Sequence, residues 1–277
     1  MSGKIKTGIV TRSFGGITNS EAAKAMSARG FVSTELCLVQ SDSNYWVYNG
    51  RKDLSDMSDK RMEEIVNTYR KEGIEVVSLG VFTNNIEEND EERQKNLDYF
   101  ERYMQLAQYC GVKYVASECG FDPNNRALAA KKYESDFSRL KASLTYLCEK
   151  AEKYDVCVTL EPCVLDVIPS AKRMRDMINQ IGSPRLKVLL DPANLIANSS
   201  EEDIFKYLAP HIGYFHGKDR KVNDAYGRLV GDGDINWPLF FSLYHKYTEG
   251  IPFMLEYANI DTAEATKIKV EAFDKNS

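Results

Sequence analysis

Residues 187–219 read KVLLDPANLIANSSEEDIFKYLAPHIGYFHGKD. Two short apolar runs, KVLLD and IGYFH, bracket a more polar segment. Each run closes on a polar side chain, Asp191 and His216, with a turn-former directly after it. A histidine settled in a core would sit inside its run, and a surface histidine would need no run. The position fits a side chain that a strand delivers to a mouth. Working outward, the same unit recurs along the chain. KTGIVT, STELCL, EVVSLGV, KYVASE, VCVTLE and PFMLE complete a set of eight β-rich runs, each of about five or six residues, the usual strand length. Between them lie segments with apolar residues at three- and four-residue steps, such as RQKNLDYFERYMQLAQYCG, which stops at Gly111 as a helix would. SEAAKAMSARG, KRMEEIVNTYRKEG, ESDFSRLKASLTYLCEKAEKY and INWPLFFSLYHKY follow the same pattern.

Eight strands alternating with eight helical segments over roughly 250 residues is the count and size of a (β/α)8 barrel. An open doubly wound sheet shows the same alternation. However, no GxGxxG turn follows the first run, where the chain reads TRSFGG. The fold class expected is therefore α/β, a single (β/α)8 TIM barrel over residues 1–277 with no linker and no low-complexity segment.

Of the 277 residues, 43% are hydrophobic and 28% charged, with a net charge of −5. That balance suits a globular protein and gives no basic footprint for nucleic acid. The start, MSGKIKTGIV, is poor as a signal peptide, and no run approaches a membrane span. Cys37, Cys110, Cys119, Cys148, Cys157 and Cys163 show no CxxC spacing, which suits reduced thiols. A cytoplasmic location with no membrane partner is expected.

In such a barrel the active site lies at the C-terminal ends of the strands. The fifth run ends in Glu161, the sixth in Asp191, the seventh in His216 and the eighth in Glu256. If these point inward, alternation places Thr159, Leu189, Tyr214 and Met254 in the interior behind them. Three carboxylates and an imidazole on neighbouring strand ends repel unless a positive group sits among them. A divalent cation resolves that conflict. This oxygen-rich set with one imidazole suits Mn²⁺, Mg²⁺ or Co²⁺ better than a structural zinc site.

The pattern TLEP, LLDPANL, YFHGKD, GDGDINWP and FMLEY, with GFVSTELCL and CGVKYVASECG upstream, resembles the xylose-isomerase-like sugar isomerase/epimerase superfamily. The resemblance implies that Glu161, Asp191, His216 and Glu256 hold one divalent metal, Mn²⁺ foremost, with Mg²⁺, Co²⁺ or Zn²⁺ as alternatives. It also implies that Glu161 and Glu256 act as acid and base on a small ketose or other polyhydroxy carbonyl compound, by way of a metal-held cis-enediolate. Dimers or tetramers are common in the family, so a homo-oligomer is expected. Where the family's epimerases often carry a histidine after the sixth-strand aspartate, this chain has Asn194. A lyase or dehydratase begins with the same proton abstraction and is the alternative.

Other candidates surround this set. Lys218, on the loop after His216, is expected to bind a substrate oxygen or pair with a rim glutamate. Asn194, Glu118 and Arg220 complete the proposed substrate contacts. Glu118 reads equally as one half of a buried ion pair. For Arg220 and Arg228 a solvated basic loop is the favoured reading over an anion site, and no glycine-rich phosphate cradle is present. Glu35 and Arg12 are ambiguous. Tyr45, Trp46 and Tyr48 form an aromatic loop that fits a lid or a subunit contact. His211, before the seventh run, and His245, in a helical segment, are not ligands. The abasic-site endonucleases of the same superfamily need several strand-borne histidines, which this chain lacks.

Overall fold

The computed structural model describes residues 5–124 and 131–277. The strands are β1 (Thr7–Ile9), β2 (Ser33–Leu36), β3 (Glu75–Gly80), β4 (Tyr114–Glu118), β5 (Cys157–Glu161), β6 (Leu186–Leu190), β7 (Ile212–Gly217) and β8 (Phe253–Leu255). They alternate with α1 (Asn19–Ala28), α2 (Asp59–Lys71), α3 (Asp90–Cys110), α4 (Tyr133–Lys153), α5 (Ala171–Ile181), α6 (Glu201–Leu208), α7 (Trp237–Tyr247) and α8 (Ala263–Lys275). Each strand from β2 to β8 pairs in parallel with the next, and β8 pairs with β1. At the remaining seam between β1 and β2, the Val32 amide donates to the Thr7 carbonyl at 3.2 Å and the Thr34 hydroxyl donates to the Ile9 carbonyl at 2.6 Å. The eight sequence runs thus become the eight staves of a nearly closed (β/α)8 barrel.

The helices start and stop where local chemistry demands. Thr18 and Glu21 form a reciprocal capping box ahead of α1, satisfying amides that have no partner within the helix. The Asn89 side chain accepts from the Glu92 amide at the start of α3, and Gly111 ends that helix at φ 64°, a left-handed conformation that glycine adopts without steric cost.

The staves are buried on both faces, which is why they read as near-continuous apolar runs. Inside the barrel, Val77, Tyr114, Ala116, Cys157, Leu189, Tyr214 and Met254 pack together, and Thr159 is fully buried. Outside, the layer between strands and helices is rich in aromatics, with Phe215 of β7 against Phe240 of α7 at 5.7 Å between ring centres. This inside–outside alternation along β7 turns Tyr214 and His216 to the interior. All six cysteines are free and buried. Among the described residues, no helix is long and apolar enough to cross a membrane.

Candidate active site

Glu161 is the last residue of β5 and His216 the penultimate residue of β7, while Asp191 and Glu256 directly follow β6 and β8. Each offers a ligand atom, and these atoms lie within 4.8 Å of one another. All four residues are buried. His216 Nδ1 lies 3.7 Å from both Glu161 Oε1 and Glu256 Oε2 and has no hydrogen-bond partner. Asp191 uses Oδ1 to accept from the Ala193 amide at 2.8 Å, and its Oδ2 is the oxygen that faces Lys218. Donor atoms that share an ion at about 2.0–2.2 Å sit roughly 3.0–3.5 Å apart, so small side-chain shifts bring this set into a coordination shell. The donor set fits a divalent metal.

The chain also supplies its own cations here. Lys218 Nζ lies 2.7 Å from Glu256 Oε2, 3.0 Å from Asp191 Oδ2 and 3.7 Å from Glu161 Oε1. Arg12, on the turn after β1, pairs through Nη2 with Glu256 Oε1 at 2.6 Å. Carboxylate repulsion, the argument from sequence for a metal, is therefore partly met by Lys218 and Arg12. The convergence of the donors is the stronger argument. Burial disfavours ionisation of Glu256, but Lys218, Arg12 and His216 outweigh it and hold the carboxyl well below the usual range. Burial pushes the Asp191 carboxyl up to about 7; Lys218 opposes this, and Glu161 and Glu256 add to it.

Behind His216 lies Glu35 of β2, fully buried. Its Oε2 faces His216 Nε2 at 3.3 Å and accepts from the Tyr214 hydroxyl at 2.5 Å. Tyr214 is itself 3.1 Å from Ser78 Oγ. The β2–β3 ladder shifts register between Thr34 and Glu35, an irregularity of the kind that re-aims a side chain. Burial opposes the Glu35 charge, yet His216, Arg12 and Tyr214 together hold its carboxyl below the ordinary value. Conversely, burial disfavours the His216 cation, but Glu35, Glu161 and Glu256 raise its pKa to about 10. An imidazole with a carboxylate on one nitrogen and the other nitrogen facing carboxylates matches the arrangement that fixes metal-binding histidines.

The loop between β7 and α7 is organised by Asp219. Its buried carboxylate accepts from the Arg220 amide at 2.8 Å, the Gly231 amide at 2.9 Å and Trp237 Nε1 at 2.8 Å. A Cβ on Gly233 would fall 2.1 Å from Asp219 Oδ1 and 2.5 Å from the Arg220 carbonyl, so only glycine fits there. These contacts give the GDGDINW stretch its structural role. They also correct the solvated-loop reading of Arg220, which is 5% exposed. Arg228 does pair locally, with Asp224 at 2.5 Å.

Beside the donors lies a cavity of about 480 Å³, lined by Glu256 of the four and by Arg12, Trp46, Tyr48, Glu118, Lys218 and Arg220. That volume falls in the range of small-molecule sites. Asn194 also lines it and donates through Nδ2 to Glu161 Oε1 at 2.7 Å. Glu118 sits beside Glu161 in the β4–β5 register and accepts a short hydrogen bond from Tyr48. Trp46 and Tyr48 stack at 6.0 Å, and the Arg12 guanidinium lies 5.5 Å from the Trp46 ring. Tyr45 packs instead on the outer core. His211 precedes β7 at the opposite end of the barrel. His245 bonds Asp274 of α8 at 2.6 Å.

The family model described as xylose isomerase-like TIM barrel matches residues 23–275. The chain belongs to this family. No curated protein sequence matches it. Among solved structures, the IOLI protein with a bound zinc atom is 16% identical, with a TM-score of 0.77 over 97% of this chain and 98% of the other. The 3-keto-D-glucoside 4-epimerase YcjR from E. coli is 14% identical, with a TM-score of 0.76 over 97% and 100%. A D-tagatose 3-epimerase-like protein is 14% identical, with a TM-score of 0.78 over 98% and 97%. At these identities the likeness is one of fold.

Proposed function

We propose that this member of the xylose isomerase-like family is a divalent-metal-dependent isomerase or epimerase of a small ketose or related polyhydroxy carbonyl compound. The observation that carries the reading is the convergence of Glu161, Asp191, His216 and Glu256 at the mouth of the barrel, within 4.8 Å of one another. These four would hold the metal, with Mn²⁺ favoured by the three oxygen donors and single imidazole; zinc is the ion in the structurally similar IOLI protein. When bound, the metal would polarise the substrate carbonyl and so acidify the neighbouring C–H.

Glu161 and Glu256 are the proton carriers in this reading. Glu256 is kept ionised by Lys218 and Arg12, so it is ready to remove a proton. Glu161 is oriented by the Asn194 amide at 2.7 Å and serves as the second acid–base group across the site. Lys218, Asn194, Glu118 and Arg220 line the cavity and would bind substrate oxygens. Trp46 and Tyr48 cover one wall with apolar surface, limiting water around the reacting carbon.

The test is proton NMR in D₂O with Mn²⁺-loaded protein and a panel of ketoses, keto acids and keto-inositols. Loss of a signal next to a carbonyl, absent in Glu161→Gln and in Glu256→Gln, is the expected result. The product then separates an isomer or epimer from an eliminated species, the outcome a lyase would give. Stoichiometric metal with no exchange across the panel would overturn the reading for those substrates.

A further inference from the structure

Arg220 stands apart from the other cations of the site. Arg12 and Lys218 each pair with a carboxylate at 2.7 Å or less. Arg220 is as buried as Lys218, yet among the described residues it forms no ion pair. Its Nη2 donates to Asn194 Oδ1 at 3.2 Å, while Nε and Nη1 are buried without a hydrogen-bond partner. One N–H on Nε and two on Nη1 are thus left over. A desolvated charge without a counter-charge is costly. A buried group of this kind on a cavity wall calls for a partner, and an incoming ligand can supply it.

The placement of Arg220 is built, not accidental. The Asp219 carboxylate holds the Arg220 amide, the Asp234 amide donates to the Arg220 carbonyl at 3.0 Å, and Gly233 is compressed against the same peptide. The side chain lines the same cavity as Glu256 and Asn194. Asn194 links it to the chemistry, since the same amide that accepts from Arg220 donates to Glu161. A planar guanidinium is matched in shape and charge to the oxygens of a carboxylate or a phosphate.

We propose that the substrate is an anionic polyhydroxy carbonyl compound, a sugar acid or a sugar phosphate, whose anionic group is bound by Arg220. This rests on the acid–base reading of the site given above and narrows its substrate class. A neutral sugar would leave the guanidinium with no anionic group in contact; an anionic one supplies that partner one amide away from Glu161.

Isothermal titration of the Mn²⁺-loaded protein tests this with three probes: neutral D-fructose, 5-keto-D-gluconate and D-fructose 6-phosphate. One of the two anionic probes is expected to bind at least tenfold more tightly than D-fructose, and which one does so identifies carboxylate or phosphate as the group. Arg220→Gln should erase that preference, and Arg220→Lys should keep part of it. Should Arg220→Gln fail to fold, the wild type still decides: raising NaCl from 50 to 500 mM should weaken the anionic probe and spare D-fructose. Equal binding of all three probes, or a preference that survives in Arg220→Gln, would overturn the proposal. Deuterium exchange with the same probes keeps the two readings separate. Anion-selective binding without exchange removes the proposed reaction and leaves Arg220 as an anion site; exchange on D-fructose without anion preference does the reverse.

Discussion

Replacing Glu35 is expected to weaken metal binding although Glu35 is not among the four donors. The carboxylate faces His216 Nε2 at 3.3 Å. A metal would displace the Nδ1 proton of His216; the proton kept on Nε2 would then leave Nδ1, which lies 3.7 Å from Glu161 and Glu256, with its lone pair directed at the metal. Strong charge-assisted N–H···O bonds run at about 2.7–2.9 Å, so this contact sits at the weak end of the roughly 1.5–3 kcal/mol assigned to bonds with charged groups. In Glu35→Gln the amide oxygen can still accept from His216 and Tyr214, and only the charge is lost. That difference is about 1 kcal/mol or slightly more, which at 1.4 kcal/mol per decade is a five- to tenfold rise in Kd. Glu35→Val removes the acceptor altogether and strands a buried N–H, at about 1–3 kcal/mol, so a rise of roughly five- to 140-fold is expected. The range agrees with what outer-shell partners of metal-binding histidines usually contribute. Titration with Co²⁺, followed by its visible absorption, measures Kd directly and reports on the ligand field as well. Tyr214→Phe, which removes one donor to Glu35 and leaves its charge, should give the smallest change. Glu35→Gln and Glu35→Val proteins that are folded and bind Co²⁺ as tightly as wild type would refute the orienting role.

Three further outcomes follow from the same geometry. Saturating Mn²⁺ should raise the melting temperature, corresponding to about 2.7 kcal/mol at a hundredfold excess over Kd; a chelator should reverse the shift, and Asp191→Asn should abolish it, as read by differential scanning calorimetry. Gly233→Ala should cost roughly 1–3 kcal/mol, the range for overpacking, because its Cβ would meet Asp219 Oδ1 at 2.1 Å; urea unfolding measures the loss, and an unchanged midpoint would contradict the close packing of this loop. Burial raises the Cys110 and Cys148 thiols to about 11 and the Cys163 thiol to about 12. A raised value means that thiolate forms only at higher pH, so about one part in a thousand or less is ionised at pH 8. Labelling by a thiol reagent should therefore be slow in the native protein and fast in urea.

What the sequence discloses and what it hides have separate physical causes. Glu161, Asp191, His216 and Glu256 are legible because a barrel strand is buried on both faces, so a polar residue closing an apolar run stands out locally. The same locality makes the alternating runs, and hence the fold, readable. Glu35 breaks that rule: it lies inside the run STELCL, and the cue available was a charge in the middle of an apolar strand. Arg12 and Arg220 are harder still. Arg12 finds its partner Glu256 across 244 positions, which no local pattern can show. Arg220 belongs to RKVND, a composition that reads as solvated surface. It is buried because Asp219 gathers donors from residues up to 18 positions downstream. The usable signal was the GDGDINW stretch, whose glycines and tryptophan are the parts that Asp219 needs. The strand ends thus announce where proton and metal chemistry can occur. The cations proposed to select the substrate, by contrast, lie on loops and are buried by distant partners, so they emerge only with the folded chain.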